Sequence, residues 1–106
     1  MSKYLISANY TAAGLQGVRS GGAKARVDAV STMLEAAGGH LDSFHFAFGD
    51  SDVLAIADLP DDEAAASVAM AINSSGAVTV RTTKLLTVEQ VDEALQRSVD
   101  YRAPGA

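Results

Sequence analysis

Residues Phe44-His45-Phe46-Ala47-Phe48-Gly49-Asp50-Ser51-Asp52-Val53-Leu54-Ala55-Ile56 put two strands side by side. Three aromatics alternate with smaller residues, Gly49-Asp50-Ser51 supplies turn chemistry, and an apolar run follows. The alternation predicts a strand with one buried face, about Leu41 to Phe48. The run Val53-Leu54-Ala55-Ile56-Ala57 predicts a strand, about Asp52 to Leu59, that is apolar on both faces.

The remaining elements fall around this hairpin. Tyr4 to Tyr10 alternates, with Tyr4, Ile6, Ala8 and Tyr10 on one side and Leu5, Ser7 and Asn9 on the other. Thr11 suits the N-cap of a short helix through Leu15 and Val18, which Gly21-Gly22 interrupts. A longer helix, about Ala23 to Ala37, carries Val27, Val30, Leu34 and Ala37 on one stripe and ends at Gly38-Gly39. Pro60 closes the apolar strand, and Asp61 caps a helix that buries Ala65, Val68, Ala69 and Ile72. Asn73-Ser74-Ser75-Gly76 ends that helix. A β-branched strand follows, about Ala77 to Leu86. Thr87-Val88-Glu89-Gln90 is a capping box opening a last helix, with Val88, Val91 and Leu95 expected inward.

The order β-α-β-β-α-β plus a C-terminal helix predicts an α+β fold, the ferredoxin-like antiparallel sheet with helices on one face. Residues 1–98 are expected to form one domain, and 99–106 a flexible tail. Strands one and three are central, and the other sheet face is left open. A strand apolar on both sides expects cover on both. A second subunit related by two-fold symmetry supplies that cover economically, so a homo-oligomer is expected; the alternative is the C-terminal helix folding back.

Composition narrows the function classes. With 48% hydrophobic and 20% charged residues the chain reads as an ordinary globular domain. No cysteine is present, which excludes disulfides and thiolate chemistry. A net charge of -5 with scattered basic residues argues against nucleic acid and anionic membranes as partners. Neither a signal peptide nor a spanning run is visible, and a cytoplasmic location is the expectation.

The parity of the hairpin turns the phenylalanines toward the helices and Ser43, His45 and Ala47 toward the open side. Ser7, Asn9, His45, Arg81 and Thr83 then share the open face, with Thr79 beside them, as the candidate ligand-binding set. Covered by a partner, this face would form a small chamber holding a titratable histidine and a fixed cation. His45 is the candidate general base, with Arg81 or Asn9 stabilising an anion. The bland reading makes these solvated strand positions or interface pairs. His40 reads as an exposed residue at a strand start.

Asp50 and Asp52 flank the turn, Asp58 and Asp61 bracket the next loop, and all four read as turn residues rather than cation ligands. Two histidines without an H-x-x-x-H spacing argue against a transition metal, and no cofactor is implied. Gly14, Gly17, Gly21 and Gly22 make no G-x-G-x-x-G or G-K-[ST] pattern and read as helix breaks. Arg19, Lys24 and Arg26 gather around that break as a small basic cluster, open to an anion or simply solvated.

Taken together, Tyr10-Thr11 with Gly14-Leu15, Gly21, Arg26, Gly38-Gly39, Phe48-Gly49-Asp50-Ser51-Asp52, Leu59-Pro60-Asp61, Gly76, and Thr82-Thr83 with Leu85-Leu86 form a pattern. The chain resembles the GYD-domain family over about residues 3 to 95. It departs at Ser51, where the family's signature carries a tyrosine. The resemblance implies a relative of the dimeric α/β-barrel proteins, a group spanning cofactor-independent monooxygenases, haem-handling enzymes and ligand-sensing domains. Three readings follow: an oligomeric small-molecule-binding or regulatory module, a small enzyme using His45 as base, or a structural assembly subunit.

Overall fold

The computed structural model describes all of residues 1–106. Its elements are β1 (Ser2–Tyr10), α1 (Ala12–Gly21), α2 (Ala23–Ala36), β2 (His40–Phe46), β3 (Val53–Leu59), α3 (Asp62–Asn73), β4 (Val78–Leu85) and α4 (Val88–Gln96). The four strands form one antiparallel sheet in the order β2-β3-β1-β4, with β1 and β3 at the centre as expected. This is an α+β arrangement consistent with a ferredoxin-like fold.

Side-chain parity builds the core. Tyr4, Ile6 and Ala8 of β1 lie opposite Ala57, Ala55 and Val53 of β3. These residues pack with Val78 and Val80 of β4 against Val30 and Leu34 of α2 and Ala65 and Val68 of α3. All face the helices, so α2 and α3 share one side of the sheet.

The chain ends its helices where the sequence indicates. Thr11 and Asp61 accept the backbone N–H groups of Gly14 and Ala64, and Thr87 forms the full capping box with Gln90. After α2, Gly38 turns to φ +89°; its N–H reaches the Glu35 carbonyl and that of Gly39 the Leu34 carbonyl, each at 3.0 Å. This is a Schellman closure. A Cβ at Gly39 would collide with the Asp58 carbonyl, so glycine is required where β2 meets β3.

Two expectations fail. The hairpin connection is the loop 47–52, not a tight Gly-Asp-Ser turn, and Phe48 is fully exposed rather than turned toward the helices. The cause is the end of β1, which outruns β3. The Asp52 N–H donates to the Ala8 carbonyl at 2.9 Å, and the Asp52 carboxylate accepts the Tyr10 N–H at 2.9 Å. These bonds draw the loop onto β1, bury Ser51, and leave Phe48 outside.

The second failure is α4. Val88, Val91 and Leu95 were expected inward but are 74%, 42% and 77% exposed, and the helix has no substantial packing on the body. It therefore does not fold back over the open sheet face. The radius of gyration, 17.0 Å, exceeds the roughly 13 Å of a compact domain this long, because the C-terminal segment projects outward. No helix is long and apolar enough to cross a membrane.

Candidate functional site

The open sheet face is read from the strand registers. One row across it runs His45, Leu54, Ser7, Arg81; the next runs Ser43, Ile56, Leu5, Thr83. A third runs His40, Asp58, Lys3, Leu85, and Asn9 lies beside Thr79 at the far end. All five candidate residues, Ser7, Asn9, His45, Arg81 and Thr83, therefore occupy one face. At its centre sit Leu5, Leu54 and Ile56, with Leu54 39% exposed.

Sharing a face does not bring the charged groups together. His45 is on one edge strand and Arg81 on the other, so three strand spacings, roughly 14 Å, separate their backbones. Leu54 and Ser7 lie between them. Within one chain they cannot act on the same few atoms of a small substrate. Asn9 is further committed: its side-chain amide donates to the Asp50 carbonyl at 3.0 Å and fastens the 47–52 loop.

The best-connected polar group on this face lies outside the candidate set. Asp58 is a ladder residue of β3, within the span expected for that strand, and it is buried and ion-paired rather than serving a turn. Its carboxylate accepts Lys3 Nζ at 3.0 Å and meets His40 Nε2 at 3.0 Å. Lys3 also pairs with Asp42 at 3.1 Å, the extra residue where the β2–β3 register shifts. The hydrogen bonds to Asp58 and then Asp42 hold the Lys3 ammonium above its ordinary pKa. The available signal was parity: Asp58 follows Leu54 and Ile56 at period two.

On the helix side a second polar unit forms. The Tyr4 hydroxyl donates to Asp62 Oδ1 at 2.6 Å, and Lys84 Nζ reaches the same oxygen at 2.9 Å. The bond to Asp62, helped by burial, pushes the Tyr4 hydroxyl up to about 12. Tyr4 and then Lys84 hold Asp62 below the usual carboxylate range. No three His, Asp or Glu side chains converge as a metal cluster would require.

Fold and face thus define a small α+β domain with a four-stranded antiparallel sheet, helices on one side and a mixed apolar and polar face on the other. The GYD domain model matches residues 4–95, and the chain belongs to that family. No curated protein and no solved structure matches it.

Proposed function

We propose that this GYD-domain chain is an oligomeric small-molecule-binding or regulatory module of the dimeric α/β-barrel type, acting in the cytoplasm. Its open sheet face is covered by a second copy, and residues 1–98 form the working domain with 99–106 as a tail. The observation that carries this reading is the composition of the open face, where the half-buried Leu5 and Ile56 and the exposed Leu54 lie beside Ser7, Arg81, Thr83 and His45. An apolar centre within a polar rim is the anatomy of a protein interface.

Two further features support a partner. Only 15 of 106 residues are buried, and Leu34 and Leu59 are the largest side chains wholly enclosed, so a lone chain has a thin core. Helix α4 also turns its apolar stripe to solvent. A second copy covers such surfaces and adds stability by mass action.

Between two such faces the polar rim leaves room for a ligand held by a few fixed groups. An enzyme reading would need His45 and Arg81 on one substrate. Their places on opposite edge strands favour binding over catalysis. The test is a thermal-shift screen against a metabolite library, run on the wild type, His45→Ala and Arg81→Ala. A stabilising compound whose effect is lost in either variant supports the module. A compound that stabilises all three equally removes these residues from the site.

A further inference from the structure

A different site lies on the other side of the sheet, where α1 breaks into α2. A cleft of about 330 Å³ opens there between the two helices and the ends of β1 and β4. Ala13, Val18, Ala25 and Val78 line it with Tyr10, and the lining residues include no carboxylate. Arg26 is its one cation. The Arg26 guanidinium stands 5.9 Å from the centre of the Tyr10 ring, a cation–π contact. Its Nε has no exposed surface and no hydrogen-bond partner, and no ion pair involves this residue.

The terminal guanidinium nitrogens are not sealed in this way and pair with no carboxylate of the chain, so an anion in the cleft would meet an unneutralised cation through them. The rest of the basic cluster does not compete for this role. Lys24 pairs with Asp28 at 3.1 Å, and neither it nor Arg19 lines the cleft.

We propose that this cleft binds a small monocarboxylate with an apolar body. A single cation fits a single negative charge, and the planar guanidinium matches a carboxylate. The apolar lining fits a short hydrocarbon or aromatic group, and the volume lies at the lower end of small-ligand pockets. At its base, Tyr10, Arg26 and Val78 also border an inner apolar cavity of about 30 Å³. Gly17 lines the cleft, and a Cβ there would meet nothing within 4 Å, so a larger side chain can be built onto this wall.

The test is an amide-resolved NMR titration of the full chain with sodium hexanoate and with benzoate. Hexanamide serves as the neutral control and inorganic phosphate as the small-anion control. Either carboxylate is expected to give saturable shifts at Gly17, Gly21 and Gly22, with hexanamide and phosphate binding more weakly. Arg26→Met, which keeps the stem and removes the cation, should weaken binding about tenfold or more. Gly17→Leu retains Arg26, favours the helix and fills the cleft, and should abolish binding. It decides the matter if Arg26→Met fails to fold. Unchanged affinity in either folded variant overturns the proposal. So does an equal response to hexanamide or phosphate, or the absence of saturable shifts at these glycines with both carboxylates.

Discussion

The two faces of the sheet are made from alternate residues of the same strands, yet they answer different demands. On β1, Tyr4, Ile6 and Ala8 are buried against helices, while Leu5, Ser7 and Asn9 between them are half-buried. On β3, Val53, Ala55, Ala57 and Leu59 are buried, and Leu54 beside them is 39% exposed. The helix face is closed by packing within the chain. The open face combines half-buried apolar side chains and the exposed Leu54 with ionic groups, and it is the surface on which the proposed second copy would sit.

If the faces differ in this way, the same substitution should act differently on each. Leu34→Ala removes a side chain with no exposure and should cost about 3 kcal/mol in chemical denaturation, independent of protein concentration. Leu54→Ala should cost less, and its cost should vanish on dilution to the single chain. Equal costs at the two positions, unaffected by dilution, would erase the distinction.

The ionic groups sharpen it further. Asp58→Asn removes the charge that Lys3 and His40 share and should cost about 1–2 kcal/mol, reduced because both partners are half exposed. High salt should shrink the difference between variant and wild type, because it screens the pairs only the wild type has.

Tyr4→Phe removes the bond to Asp62 on the helix side and should cost about 1 kcal/mol. It should also alter the alkaline limb of stability. The unfolded chain ionises Tyr4 near the ordinary value of 10.0, the folded one at about 12. The stabilisation is therefore complete below pH 10 and is lost as pH rises through about 12, a decline that should flatten in the variant.

The elements written in local chemistry were legible in the sequence. Caps at Thr11, Asp61 and Thr87 and the glycine stop after α2 depend on neighbouring residues alone. So does the parity that places His45 and Arg81 on one face. What depended on distant backbone was not legible. The 47–52 loop is shaped by the end of β1, which no pattern near Phe48 records. The apolar stripe of α4 looked like a core stripe because periodicity says that a face wants cover and not which body supplies it. The separation of His45 from Arg81 needed strand order as well as parity. The unsatisfied donor of Arg26 is visible only once α1, α2 and the Tyr10 ring are set in space.

Sedimentation velocity at micromolar concentration tests the central claim most directly, run on the wild type and on Leu54→Asp. The wild type is expected to sediment at twice the 10.9 kDa chain mass or more. Leu54→Asp should return to the single-chain mass with its secondary structure intact. A wild type that sediments as a 10.9 kDa monomer would contradict the account.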